Sequence, residues 1–394
     1  MKQFPAVLVT GARQTGKTSL VRHLFPDASY LALDYPANAL AAKTAPEDLL
    51  NKYPEPVIID EIQYAPELMR YIKVRIDNNR TSEKKRKNKF NGKYILTGSQ
   101  IFPLMEGVSE SLAGRCGILN LDTLSYSEII ESNRSLKETD FIFLGGYPEI
   151  HTGAEPELWF SSYVATYLER DVRNVLRVVD LQEFGKFLKI CALRTGQVVN
   201  YTDIARDCGV SPNTARKWLG LLVTSGIVHL LEPYFGNRAK RVIKSPKLMF
   251  LDTGLASFLA GFISANELFD SPYAGAFFET FIFSEILKHF HAQGKRAPVF
   301  YWRTVSGHEV DILIEKSPDY IIAVETKWKE NPDSKDAAGL KTIASVEKKK
   351  IKEKIIVAKT DVTYKLADEI WVMNASEFLR RKVSDSGLER TRSG

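Results

Sequence analysis

Eight residues near the start of the chain, Gly11-Ala12-Arg13-Gln14-Thr15-Gly16-Lys17-Thr18, have the types and spacing to hold a polyphosphate. The two glycines let the backbone curl so that successive N–H groups face phosphate oxygens, and a following helix adds its positive end. Lys17 is placed to reach the β- and γ-phosphates and the Thr18 hydroxyl to bind Mg²⁺, so Gly11 to Ser19 are the expected nucleotide contacts. A second element, Val57-Ile58-Ile59-Asp60-Glu61, is an apolar strand ending in two acids. Asp60 would hold the magnesium through water and Glu61 would polarise the attacking water. Alone such an ending is more often a solvated edge; about forty residues after a phosphate loop it reads as a Walker B pair. Thr97 and Ser99, at the end of a further apolar run, could sense the γ-phosphate or simply cap a turn. Arg115 could act as an arginine finger on its own or a neighbouring subunit's nucleotide, or lie on the surface. The implied cofactors are ATP and Mg²⁺, and the implied chemistry is ATP hydrolysis.

These groups need strands that end together. Apolar runs at Ala6–Thr10, Tyr30–Asp34, Pro56–Asp60 and Lys93–Thr97, with helical stretches between them, predict an α/β fold whose core, over 1–130, is a P-loop parallel sheet covered on both faces. The basic run Lys84-Lys85-Arg86-Lys87-Asn88-Lys89 interrupts that pattern, as a solvated insertion or a contact to a phosphate backbone. Residues 131–190 read as a helical linker or lid and 191–252 as a winged helix-turn-helix. Residues 253–382 read as helices, alternating strands at 298–327, a Lys-rich helix and closing strands. The polar stretch 383–394 lacks periodicity and reads as a disordered tail.

The length of 394 residues favours two or three domains, and 44% apolar with 26% charged residues is a globular composition. No run approaches the length of a membrane helix, and the short apolar start leads into the glycine loop, not a cleavage site. Three distant cysteines (Cys116, Cys191, Cys208) suit reduced thiols in a cytoplasmic protein. A net charge of +6 permits nucleic-acid binding without arguing for it.

The motifs Gly11 to Thr18, Asp60-Glu61-Ile62-Gln63, Leu96-Thr97-Gly98-Ser99 and Ser111-Leu112-Ala113-Gly114-Arg115 resemble a large prokaryotic family of AAA-type ATP-binding proteins. The resemblance continues through Tyr167-Leu168-Glu169-Arg170-Asp171-Val172, Asn200 to Asp207, Lys244-Ser245-Pro246-Lys247, Leu251-Asp252-Thr253-Gly254-Leu255 and Phe278-Glu279. Such proteins usually carry a leader before the first strand, which this sequence nearly lacks. The resemblance implies an ATPase with a winged-helix segment and a nuclease-like terminal domain.

Residues in the middle support the winged-helix part. Thr202 is expected to cap a first helix, and Ser211, followed by Pro212, a second whose basic residues resemble those of a recognition helix. Val228–Pro233 and Leu248–Leu251 would form the wing, with Arg238, Lys240, Arg241, Lys244 and Lys247 available for phosphates. Such modules bind DNA, or only pack between domains.

Further on, Glu309-Val310-Asp311-Ile312-Leu313-Ile314 alternates, and Glu325 and Lys327 share a face of the next strand. A hairpin centred on Pro318 would bring Glu325 beside Asp311. This acid, acid-x-lysine arrangement resembles the restriction-endonuclease-like superfamily. The resemblance implies that Asp311 and Glu325 hold Mg²⁺, that Lys327 steadies or activates the attacking water, and that Glu279 supplies an extra acid. Charged residues on exposed strand faces are also common. Two readings follow: an ATPase coupled to binding, and cleavage, of DNA or RNA, or a nucleotide-dependent signalling switch acting on protein partners. A homo-oligomer is compatible with both.

Overall fold

The computed structural model describes residues 3–82, 91–99, 111–168, 181–235, 245–304, 306–347 and 350–383. The basic run at 84–89, Glu169 to Val172, the wing residues Arg238, Lys240, Arg241 and Lys244, and the stretch beyond 383 lie outside these. The chain forms two compact units. The first comprises Met1–Thr123 with the short pieces Tyr147–Glu149 and Thr224–Gly226. The second comprises Leu124–Gly146, Ile150–Val223 and Ile227–Gly394.

The first unit is built on a parallel sheet of β1 (Ala6–Thr10), β2 (Ser29–Ala32), β3 (Val57–Asp60), β4 (Tyr94–Gly98) and β5 (Cys116–Asn120), in the order β2-β3-β4-β1-β5. Every residue of β1, β3 and β4 is buried, as continuous apolar runs between two layers require. Alternation divides them: Ala6, Leu8, Val57, Ile59 and Leu96 enter one core, while Val7, Val9, Ile58 and Ile95 enter another with Val21 of α1 (Lys17–Leu24). Each such aliphatic side chain contributes about 1.5–3 kcal/mol, so the strand ends that carry the site rest on a rigid platform. β5 escapes the sequence reading because its residues are half-buried or exposed and it contains Gly117. Helix α2 (Leu68–Ser82) follows β3.

In the second unit α3 (Leu181–Leu193), β6 (Gln197–Val198), α4 (Tyr201–Cys208), α5 (Pro212–Thr224), β7 (Val228–Leu231) and β8 (Lys247–Phe250) follow in order, the strands pairing antiparallel as β6-β8-β7. Ser211 caps α5 as expected, its hydroxyl accepting from Thr214 N at 3.0 Å with Pro212 in first position. The cap of α4 is Asn200 and not Thr202. The Asn200 side chain accepts from the N–H groups of Thr202 and Asp203, so the helix starts one residue before the expected cap.

The unit continues with α6 (Ala274–Ala292), buried continuously from Phe277 to Lys288, and a six-stranded mixed sheet. Its strands are β9 (Val299–Arg303), β10 (Glu309–Ser317), β11 (Tyr320–Lys327), β12 (Ile351–Ala358), β13 (Tyr364–Leu366) and β14 (Ile370–Met373), ordered β13-β14-β12-β11-β10-β9. β10 and β11 form the expected hairpin, with Ile312 opposite Val324. The expected helix is α7 (Ala338–Val346), which carries Lys341; Lys348 and Lys349 lie outside the described residues, and Lys352 and Lys354 belong to β12. Among the described residues no helix is long and apolar enough to cross a membrane.

Candidate active site

The phosphate loop bends where β1 ends. Gly11 has φ 148°, and a Cβ there would lie 2.1 Å from the Leu121 carbonyl oxygen, so no other residue fits. Gly16, at φ 87°, opens α1 from a left-handed turn. Gln14 is also left-handed and exposed, Arg13 half-buried, and Ser19 exposed in the first turn of α1. The Thr15 hydroxyl donates to the Ala12 carbonyl at 3.0 Å. Lys17 Nζ arches back over the loop and donates to the Ala12 carbonyl at 2.6 Å and the Gly11 carbonyl at 3.2 Å. Burial, with Arg13 nearby, lowers its pKa to about 8 despite the pull of Glu61 and Asp60.

Sheet order brings the Walker B residues to this loop. Thr18 Oγ1 lies 2.9 and 3.0 Å from the two carboxylate oxygens of Asp60. A hydroxyl and a carboxylate side by side are the hard oxygen donors that Mg²⁺ takes, so the residues present fit that ion. Glu61 follows at φ 56°, a conformation costly for a glutamate that turns its carboxylate out of the strand. Three groups hold the pair. Thr97 Oγ1 donates to Asp60 and accepts from Glu61 N, while Gln63 Nε2 and Ser99 Oγ both donate to the Glu61 carboxylate. Tyr30 OH donates to Asp60 Oδ2 at 2.6 Å. Thr97 is thus engaged with both acids at the end of β4.

Arg115 cannot act as a finger on its own nucleotide. It precedes β5, level with the start of β1, whereas the phosphate loop leaves the far end of β1. Its guanidinium is bidentate on Asp77 of α2, at 2.7 and 3.0 Å.

The second unit gathers Glu279 from α6, Asp311 from β10, and Glu325 and Lys327 from β11, as the hairpin predicts. Lys327 Nζ donates to Glu325 Oε1 at 2.6 Å, and Asp311 Oδ2 accepts from Thr326 N and Oγ1, each at 2.8 Å. Burial and the Asp311 charge push the Glu325 carboxyl up to about 8, against the pull of Lys327. Lys247 contradicts its expected place in a solvated wing. It starts β8, is 2% exposed, and its ammonium lies 2.8 Å from Glu279, 2.5 Å from Glu309 and 3.7 Å from Asp311. Burial opposes its charge, but Glu279, Asp311 and Glu309 together hold it protonated, above the usual lysine range. Among the described residues no group of three or more Asp, Glu, His or Cys is arranged to hold a metal. As placed, Glu279 and Asp311 face the Lys247 ammonium, and Glu325 faces Lys327.

Comparison with known proteins supports the reading of the first unit as an ATPase domain. A family model described as "AAA domain" matches residues 3–130, and two described as domains of unknown function, DUF8612 and DUF4143, match 136–266 and 274–378. The chain is 30% identical over 322 residues to "Uncharacterized protein Mb2031c" of Mycobacterium bovis and "Uncharacterized protein Rv2008c" of Mycobacterium tuberculosis, covering 80% of this chain and 69% of each of them. The chain belongs to the family of these mycobacterial proteins. Its first unit is a P-loop ATPase domain of the AAA type. A solved structure, the Walker-type ATPase paby2304 of Pyrococcus abyssi, matches 65% of this chain and 91% of its own at 15% identity and a TM-score of 0.41, too slight to add to the assignment.

Within this family member, the sequence reading missed four residues that touch the two sites. Gln63 lay inside a quoted motif without a role, and Glu309 shares the alternation parity of Asp311. Lys247 was placed in the wrong element, and Tyr30 carried no signal at all. The three cysteines are unpaired thiols, with Cys191 and Cys208 buried.

Proposed function

We propose that this ATPase hydrolyses ATP with Mg²⁺ at Lys17, Thr18, Asp60 and Glu61 and couples turnover to nucleic-acid binding by the segment 191–252. The observation that carries the catalytic part is Glu61, held beside Asp60 by Thr97, Gln63 and Ser99, with Thr18 on the Asp60 carboxylate. In this reading Lys17 exchanges its two carbonyl partners for phosphate oxygens, and Glu61 takes the proton of the attacking water. Thr18 and Asp60 would hold the magnesium, which would supply charge neutralisation at the phosphates.

The order of helices and strands from α3 to β8 supports a winged helix. α5 buries Ala215, Trp218 and Leu219 and exposes Asn213, Arg216 and Lys217, a polar and basic face suited to a groove. The strand order around β10, β11 and β12 supports the restriction-endonuclease-like reading of the terminal sheet, but a fold does not carry an activity with it. DNA affinity measured against salt tests the coupling. We expect a steep log–log slope that flattens by about two when Arg216 and Lys217 become alanine, and an affinity that changes when ATP is added. No salt-dependent affinity for single- or double-stranded DNA or RNA would leave the signalling switch as the function.

A further inference from the structure

We propose that the Lys247 ammonium is the resident cation of the Glu279–Glu309–Asp311 cluster. It holds the place a divalent ion would need, so the terminal sheet takes Mg²⁺ or Mn²⁺ only when Lys247 is displaced. The inference deepens the nuclease-like reading of this sheet. Its test counts bound metal and reads cleavage separately, so that the two can fail independently.

Five of the carboxylate oxygens already have partners. Glu279 Oε1, Glu309 Oε1 and Asp311 Oδ1 face Lys247 Nζ at 2.8, 2.5 and 3.7 Å. Asp311 Oδ2 accepts from both the N–H and the hydroxyl of Thr326, and Glu325 Oε1 accepts from Lys327. Glu325 Oε2 is buried with no hydrogen-bond partner, in a residue 7% exposed. That oxygen is a donor waiting beside a cluster whose centre is taken.

Two physical reasons make the lysine hard to replace. A divalent ion entering beside Lys247 would face like charge at close range, in a place where Lys247, Glu279 and Asp311 are all at least nine-tenths buried and screening is weak. It would also have to shed much of its hydration shell, whereas the ammonium is already part of the fold. Lys247 is fixed from its backbone outward, since β8 pairs with β6 and β7 and all four of its residues are buried.

The experiment is an Mn²⁺ titration, followed by the electron paramagnetic resonance of free Mn²⁺, on the full chain carrying Asp60→Asn to silence the nucleotide-site carboxylate. With Lys247 in place, Glu325→Gln and Asp311→Asn should leave bound Mn²⁺ unchanged. Lys247→Met should gain one ion, at least about tenfold tighter than any site of the parent, and adding Glu325→Gln should remove it. The proposal is overturned if Glu325→Gln costs the parent a bound ion, or if folded Lys247→Met gains none. Should Lys247→Met fail to fold, Lys247→Gln replaces it, and the parent arm stands alone. Linear DNA is incubated with the same proteins. Mn²⁺ gained without cleavage upholds the resident cation and sinks the nuclease reading, whereas cleavage confined to Lys247→Met upholds both. Cleavage by the parent that Lys327→Ala abolishes overturns the resident cation.

Discussion

Both units bring buried lysines up to carboxylates at the end of a sheet, yet the lysines are partnered in opposite ways. In the first unit Lys17 rests on two backbone carbonyls, neutral groups that a phosphate oxygen outcompetes, while Asp60 and Glu61 are aimed by hydroxyls and an amide. In the second unit Lys247 rests on carboxylates, so the charge is cancelled from within. Acids near a lysine therefore do not identify a site for an external ion or nucleotide. What decides is whether the charge of each is left for a ligand to satisfy.

The contrast can be broken most sharply at Lys247. Replacing it with methionine leaves carboxylates buried without their cation, and we expect a loss of about 3–5 kcal/mol in urea unfolding, partly recovered by Mn²⁺. A loss below about 1 kcal/mol would mean that the ion pair is incidental. The Glu325 carboxyl provides a pH test. It titrates near 8 in the fold and near the ordinary glutamate value when unfolded, so the native state binds the extra proton between those pH values. Its contribution to stability is full below about pH 4.5 and is lost as pH rises through about 8. Glu325→Gln should therefore gain on the parent by about 2–4 kcal/mol between pH 4.5 and 9, read as the difference in melting curves; a difference that does not vary with pH would contradict the assignment. At the nucleotide site, Thr97→Val should cut turnover by about 10–100-fold while ATP affinity stays within about threefold. A change in affinity alone would return Thr97 to phosphate sensing. The smallest effect is expected at Arg115, whose half-exposed pair with Asp77 is worth under about 1 kcal/mol. Arg115→Ala should leave turnover intact at protein concentrations where the chain is monomeric, and a large loss appearing only at high concentration would mark a finger acting between copies.

Much of the first site was legible in the sequence because its parts are local. The loop from Gly11 to Thr18 and the run ending at Asp60-Glu61 each sit on one turn or one strand end, and apolar periodicity fixes where those strands stop. Tyr30 was not legible, since its contact to Asp60 follows from β2 lying next to β3, which no spacing reports. Thr97 was found, but its contacts to Asp60 and Glu61 follow from β4 lying next to β3 and had no signal either. In the second unit the hairpin of Asp311 and Glu325 followed from alternation around Pro318 and Asp319. Lys247 was misread because a lysine amid basic neighbours looks solvated. Only the pairing of β8 with β6 and β7, and the approach of β10 and α6, turn it inward.

The central claim is that Lys17 and Glu61 divide ATP binding from ATP cleavage in the first unit, and one paired measurement tests it: ATP affinity and steady-state ATP turnover of the parent, Lys17→Ala and Glu61→Gln. We predict that Lys17→Ala loses binding, and that Glu61→Gln binds ATP within about threefold of the parent but turns it over about 10²–10³-fold more slowly. Turnover by Glu61→Gln at the parent's rate would contradict the account.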